Sequence, residues 1–398
     1  MADVTIALET ATGVEFEPSS SNGTSADVKP MDLHYVIWVF VMPFVLLFGI
    51  IGNIFSILVL LSKSFRHTTT GVYLPFTAVA DILFLTTGVL EMFEVANIFN
   101  AREYNVWICR IYKVLHYTAG DISIWLLVAF TFDRFVAVCF PFSKQRVCKW
   151  KRAVIASATI AVLSLGKNLH EFWTRGPEYK DNGELRRICG SQKQYHVFLD
   201  YVRPWIAFTL IMAIPFILIL IFNCMIVYSL IKAQWLRNKA AAIPASTTPS
   251  SATGSKNPMS AGTSFRQTTL MCLSISFAFL ICIAPSIVLL IGKPYWKYRR
   301  NLAYKNAKAI SNFLALLNHC INFFLYCVTG RRFRQELKAR LTCRRGEVAQ
   351  TEISTHNTTI TTRHHGQDNP QQVRGQLDNQ QAAKSRDCSL SNVETTFA

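Results

Sequence analysis

The stretch VWICRIYKVLHYTAGDISIWLLVAFTFDRFVAVCF, residues 106–140, decides how this chain is read. It is apolar along most of its length and closes on Asp133-Arg134-Phe135. A hydrocarbon core about 30 Å thick is crossed by roughly 20 helical residues, and this run is longer than that. Lipid offers no partner to an unpaired backbone amide, so a spanning run must be helical. An acid followed by an arginine at the end of such a helix is expensive to place there and marks a functional position.

Six more runs of the same kind surround it. Together they give spans at about 34–62, 72–99, 106–140, 151–173, 197–232, 266–292 and 302–328. The expected fold is an all-α membrane protein, a seven-transmembrane helix bundle over residues 34–330. The chain has 398 residues, 51% of them hydrophobic, so little is left for any second domain. A net charge of +17 would suit a nucleic-acid partner, but lipid-facing helices exclude that class. The cations gather instead at one set of helix ends.

Lys63, Arg66, Lys144, Arg146, Lys149, Lys151 and Arg152 crowd the loops after the first and third spans. Lys232, Arg237, Lys239 and Arg266 flank the fifth-to-sixth connection. The N-terminal tail is acidic, with Asp3, Glu9, Glu15, Glu17, Asp27 and Asp32 against Lys29. Cytoplasmic loops carry the excess of Lys and Arg, so the N-terminus is expected outside and the C-terminus in the cytoplasm, at the plasma membrane. Lys293, Lys297, Arg299 and Arg300 run against this rule. Residues 1–33 lack the apolar core of a cleavable signal peptide, so the first span is expected to direct insertion.

The tail 1–33 reads as disordered and extracellular, and Asn22-Gly23-Thr24 is a glycosylation sequon within it. Residues 238–264 read as a low-complexity third cytoplasmic loop, and 344–398 as a disordered cytoplasmic tail. Between bundle and tail, Phe333, Leu337 and Leu341 fall four apart among basic residues. That spacing predicts a short amphipathic eighth helix over 331–343, flat on the inner leaflet, with Cys343 as a palmitoylation site. Of eleven cysteines, only Cys109 and Cys189 fall in outer connections, where oxidation is favoured. A bridge between them would close a loop of about 80 residues and contribute on the order of 4 kcal/mol.

Polar groups inside the apolar spans come next, since a charge at mid-bilayer costs about 3 kcal/mol or more. Asn53 lies in the first span, Asp81 in the second, and Asn318, Asn322 and Tyr326 at one-turn intervals in the seventh. Their depths suit one cluster that takes up water or an allosteric sodium ion. At the outer helix halves stand Glu91, Glu94, Lys113, His116, Lys167, His170, Asp200, Arg203 and Lys308, with Trp107, Trp173, Tyr195, Tyr201 and Trp205 among them. Charges of both signs beside aromatic rings suit a peptide ligand.

In order and spacing, the chain resembles the rhodopsin-family (class A) G-protein-coupled receptors from about residue 34 to 343. The motifs are Gly52-Asn53, Asp81, Cys109, Asp133-Arg134-Phe135 with Pro141, Cys189 and Pro215. Phe279, Cys282 and Pro285 follow in the pattern F-x-x-C-x-x-P, then Asn322-Phe323-Phe324-Leu325-Tyr326. The resemblance implies that Asp133 holds Arg134 at rest and that Arg134 then swings free to meet a heterotrimeric G protein. It also implies a sixth-helix switch at Phe279, Cys282 and Pro285, and arrestin and a kinase as partners of the C-terminal tail.

Five positions depart from the family. Phe135 stands for Tyr, Asn223 for Tyr and Ala161 for Trp, and Ile283 stands for the sixth-helix Trp. Phe323 replaces the proline of the seventh-helix motif, from which a loss of the kink is expected. His116 fills the place of the amine-binding Asp, and Leu316 that of the retinal-linking Lys, which sets monoamine and light receptors aside. The seventh-helix variant is similar to that of invertebrate neuropeptide receptors of the FMRFamide-receptor type. Glu91 and Glu94 are then the candidates for a peptide arginine.

The alternatives are a receptor for a non-peptide small molecule, a seven-helix transporter or channel, and an intramembrane enzyme. No repeated halves or ring of like charges favours transport. His116 and Asp121 are five apart on a helix and face different ways, and no His-Glu-x-x-His pattern occurs, so neither catalysis nor a metal centre is assigned.

Overall fold

The computed structural model describes residues 33–180, 182–241, 259–292 and 302–342. Six continuous helices are long and apolar enough to cross a membrane: Leu33–Leu60, Thr70–Val95, Val106–Cys139, Trp150–Thr174, Arg203–Leu236 and Gln267–Leu289. A seventh is made of two pieces, Leu302–Cys320 and Asn322–Thr329, bent by 55°. The amphipathic eighth helix spans Arg331–Leu341. Contacts divide the chain into two units, residues 1–333 and 334–398, and the bundle belongs to the first.

The third helix is the axis of the bundle. Its N-terminus is fixed by Asn105, whose side-chain oxygen accepts from the Trp107 N–H at 2.7 Å. Cys109, Tyr112, His116, Ser123, Phe130 and Asp133 follow at spacings of three, four and seven, and all six are buried. Outward faces are apolar and exposed, as at Phe44, Val162, Leu163, Ile281 and Val328, which is the pattern of helices that meet lipid. Between the first, second and seventh helices lies a core of Trp38, Met42, Leu46, Leu85, Leu316 and Cys320. Gly49 makes that approach feasible, because a Cβ there would lie 2.7 Å from Cys320 Sγ.

Prolines shape two of the spans. Wide turns at Ile37–Val41, Phe198–Val202 and Phe208–Ala213 each end two residues before a proline, at Pro43, Pro204 and Pro215. In each, the residue just before the proline donates its N–H five residues back: Met42 to Ile37, Arg203 to Phe198 and Ile214 to Thr209. A proline ring crowds the carbonyl four residues behind it, and a wider turn relieves the crowding while keeping the backbone bonded.

The seventh helix corrects one expectation. It lacks the motif proline, yet it bends by 55° at Ile321. The Asn53 side chain of the first helix donates to the His319 carbonyl at 3.0 Å and to the Gly49 carbonyl at 2.9 Å. In a regular helix the His319 carbonyl would receive the N–H of residue 323, the bond that a proline there would delete. A side chain inserted into the hydrogen-bond ladder bends a helix as a proline does. Phe323 fits below the bend, where a Cβ on Gly52 would lie 3.0 Å from its own Cβ.

Two elements were not read in the sequence. A short helix, Pro141–Val147, follows the third span. Strands β1 (Arg175–Tyr179) and β2 (Leu185–Ser191) form an antiparallel hairpin with Arg175 opposite Ser191. Gly183 turns it at φ +82°, a left-handed conformation that favours glycine. At the linker, the fifth helix continues to Ala241 and the sixth begins at Met259, so both ends of 238–264 are helical. Residues 242–258, the 1–33 tail but for its last residue, and the tail from 344 lie outside the described residues, as do Asn22, Cys343, Lys293, Lys297, Arg299 and Arg300.

Candidate functional site

Three polar layers stack along the bundle. At the inner end, Asp133 and Arg134 are both buried and form an ion pair at 2.5 Å through Asp133 Oδ2. The same oxygen accepts from the Thr69 hydroxyl at 2.8 Å, and the hydroxyl oxygen accepts from Arg134 Nη2 at 2.7 Å. Thr69, on the connection between the first and second spans, therefore completes a three-membered cluster that sequence reading missed. Arg134 Nε is buried with no acceptor among the described residues, so the guanidinium is only partly engaged. Phe135 stacks on Phe222 of the fifth helix, with ring centres 5.2 Å apart, so packing replaces what a tyrosine hydroxyl would add. Nearby, Asn223 is buried and, among the described residues, neither of its amide atoms has a hydrogen-bond partner. The Cys148 thiol, in the loop that follows, donates to the Asp133 carbonyl, and burial, then the charge of Asp133, pushes its pKa up to about 12.

In the middle layer Asp81 is fully buried. Its Oδ1 accepts from the Ser123 hydroxyl at 2.6 Å and meets His319 Nδ1 at 2.7 Å, and its Oδ2 accepts from the Asn322 amide at 2.8 Å. Asp81 and Asn322 come together as expected. Asn53 bonds backbone carbonyls rather than Asp81, and Asn318 and Tyr326 line a small cavity with Ser123 and Asn322. Ser123 and His319 were missed, although His319 lies three residues before Asn322 and so shares its face. The Phe84 ring is packed between two imidazoles, with centres 4.3 Å from His319 and 4.7 Å from His116. On the sixth helix Phe279, Cys282 and Ile283 are buried and Pro285 is half-buried.

The outer layer is the most charged. Glu171, at the end of the fourth helix, is fully buried between Arg175 (2.8 Å) and Arg203 (3.1 Å). Arg203 was expected to face a ligand, and the structure gives it this carboxylate. Glu171 itself was overlooked, although an acid four residues before an arginine on a helix is a readable pair. Lys167 pairs with Asp121 at 2.8 Å, and His116 Nδ1 meets the Thr87 hydroxyl at 2.8 Å, so Asp121 and His116 do face different helices. Glu94 is held by Arg102 of the following loop, where burial alone would lower the guanidinium pKa and Glu94 outweighs it, raising it. Glu94 is thus already matched within the chain.

Glu91 and Lys113 differ. Both are buried, and among the described residues neither makes a hydrogen bond or ion pair. The Lys113 ammonium lies 5.8 Å from the centre of the Tyr117 ring. Lys308 is half-buried and has a partner, and the Asp200 side chain is not described. The aromatic residues were expected in a cavity, but Trp107, Trp173, Tyr201 and Trp205 are largely exposed, as in an interfacial belt. Above this layer the Cys109–Cys189 disulfide ties the third helix to β2. The Glu103 carboxylate accepts from the backbone N–H groups of Ile188 (2.5 Å) and Cys189 (3.3 Å), which fixes the hairpin over the bundle.

Residues 52–326 match the family model described as the 7 transmembrane receptor (rhodopsin family). The chain belongs to this family of multi-pass membrane receptors, which are not enzymes. It is 24% identical to the FMRFamide receptor of Drosophila melanogaster over 300 residues, 72% of this chain and 50% of that receptor. With the Allatostatin-A receptor of Bombyx mori it shares 24% over 313 residues, 75% of this chain and 78% of the relative. The Pyrokinin-1 receptor of Drosophila melanogaster is 27% identical over 162 residues, 39% of this chain and 37% of its own length. The chain therefore spans only about a third to a half of the length of two of these three relatives.

Proposed function

We propose that this protein is a plasma-membrane receptor that binds an extracellular peptide at its outer end and activates a heterotrimeric G protein at its inner end. The observation that carries the reading is the Asp133–Thr69–Arg134 lock, buried at the inner end and left with an unpaired guanidinium N–H. A buried ion pair of this kind is a two-state element, and its release presents a donor fork to a partner. Coupling between the two ends needs only about 1–3 kcal/mol of differential ligand affinity. The peptide ligand is supported by relatives named as FMRFamide, allatostatin-A and pyrokinin receptors.

Within the outer layer, Glu91 is the carboxylate for a ligand cation, in preference to Glu94, which Arg102 neutralises. Lys113 is the matching site for a ligand acceptor. The basic loops support an N-terminus outside and a C-terminus in the cytoplasm, and the reading includes arrestin and a kinase as partners of the tail, glycosylation at Asn22 and lipidation at Cys343.

The test is a neuropeptide library applied to cells expressing the receptor, with calcium and cyclic AMP recorded. A peptide hit should lose signalling, but keep binding, in Arg134→Ala, and should lose binding in Glu91→Gln. Signalling that survives Arg134→Ala unchanged rejects the inner contact. A library-wide absence of response in surface-expressed receptor rejects the peptide ligand.

A further inference from the structure

We infer that the Asp81 core of this receptor is closed to sodium, because His319 supplies from within the chain the partner that an ion would otherwise provide. A buried carboxylate among polar side chains at mid-bilayer is the natural seat for a small cation, and the question is whether the surrounding groups offer oxygen lone pairs. Hard cations need converging oxygen ligands. The groups bonded directly to the Asp81 carboxylate converge on it with hydrogens instead. An ionised carboxylate only accepts, and it has about four lone-pair positions. Ser123 Oγ and His319 Nδ1 take two of them on Oδ1, and Asn322 Nδ2 takes a third on Oδ2.

The Asn322 amide must present its N–H side to a carboxylate, which turns its carbonyl oxygen away. Asn53 spends its N–H groups on the Gly49 and His319 carbonyls, and its Oδ1 has no hydrogen-bond partner among the described residues. Asn318 and Tyr326 line the small cavity beside Ser123 and Asn322, so the oxygens that remain lie around the carboxylate while His319 holds its edge. The ring of His319 also fills space. It is 5% exposed, packed at a tilt against Phe84 on one side, and hydrogen-bonded to the carboxylate at its edge. An ion entering on that side would displace an aromatic ring and break a 2.7 Å hydrogen bond to reach one remaining lone pair. Intramembrane acids persist when their lone pairs are taken up, and this carboxylate has its hydrogen-bond partners built in.

The experiment uses the full-length receptor in detergent or nanodiscs, with its thermal unfolding midpoint measured in sodium chloride against choline chloride at equal ionic strength. The wild-type protein should show the same midpoint in both salts. His319→Ser, which removes the ring and returns an oxygen, should gain a saturable, sodium-specific rise in midpoint that Asp81→Asn in the same background abolishes. A wild-type protein stabilised specifically by sodium overturns the inference, and so does a folded His319→Ser that is not. Should His319→Ser fail to fold, sodium NMR line widths over the wild-type protein and Asp81→Asn decide. Equal widths are expected, and broadening by the wild-type protein that Asp81→Asn removes overturns the inference.

Discussion

At the outer end Glu171 is gripped by two guanidinium groups, whereas at the inner end Asp133 divides a single oxygen, Oδ2, between Thr69 and Arg134. The outer carboxylate has charged partners on both oxygens and lies beneath a disulfide and a hairpin pinned by Glu103. Among the described residues, Arg134 Nε and both polar atoms of Asn223 are buried without hydrogen-bond partners at the inner site, and Glu171 Oε1 and His170 Nδ1 lack hydrogen bonds at the outer one, where Oε1 keeps only the charge of Arg203 at 3.1 Å. A buried charge flanked by two opposite charges resists rearrangement, while an unsatisfied buried guanidinium N–H raises the free energy of the state that holds it relative to one that satisfies it. The Glu171 carboxylate is therefore held by two counter-charges, whereas the inner arginine keeps an N–H that another arrangement can satisfy.

If the outer end is the rigid one, its ion pairs should carry the largest stability effect. Glu171→Gln keeps the shape and leaves Arg175 and Arg203 buried without their counter-charge. The expected destabilisation is about 3–5 kcal/mol, the usual consequence of removing one partner of a buried pair. It should appear as a lower unfolding midpoint and reduced surface expression, and Arg203→Leu in the same background should restore part of it. An unchanged midpoint would show that the outer charges are solvated and would erase the contrast with the inner end.

The inner lock should respond in signalling more than in stability. Asp133→Asn removes the charge that holds Arg134, and ligand-independent G-protein signalling per surface receptor should rise on the order of tenfold, the scale of about 1.4 kcal/mol of coupling. Basal signalling that stays at the wild-type level would place the holding interaction elsewhere. Asn223→Leu probes the same end from the other side. Replacing an unsatisfied buried amide by an apolar group of similar size should raise the unfolding midpoint of the ligand-free form, by about 1 kcal/mol of stability. A loss of stability would mean that Asn223 already has a partner.

How much of this was legible in the sequence differs between the two scales of structure. The spans were, because hydropathy over 20 residues is a local property, and the seven predicted runs coincide with the helices to within a few residues, apart from the longer inner ends of the fifth and sixth. Asp133-Arg134 was legible for the same reason, since a charge pair at the end of an apolar run stands out. The hairpin could have been read from Asn182-Gly183 between two short runs, a turn signal with a known mechanism. The seventh-helix bend could not, because it depends on an Asn53 contact to a carbonyl 266 residues away. Partner choice was equally hidden: Glu94 and Glu91 look alike in sequence, and only the fold brings Arg102 to the first.

The smallest effect expected separates the hairpin from the buried outer charges. Glu178 of β1 accepts from Arg186 at 3.0 Å and from Arg187 at 2.8 Å. Burial alone would raise its carboxyl pKa, but the two guanidinium groups outweigh burial and hold it below the ordinary value of 4.5. A carboxyl lowered on folding adds stability above its unfolded pKa and loses it as pH falls through the folded value. Protection of the hairpin amides against hydrogen exchange should therefore weaken as pH drops below 4.5, and Glu178→Gln should remove that dependence. Arg186 is 53% exposed, so solvent screening limits the contribution to a fraction of a kcal/mol, as for about 0.2–1 kcal/mol surface pairs. A hairpin that loosens equally in Glu178→Gln is held by Glu103 and the disulfide rather than by its own ion pairs, and the rigidity of the outer end then comes from how it is tethered to the third helix.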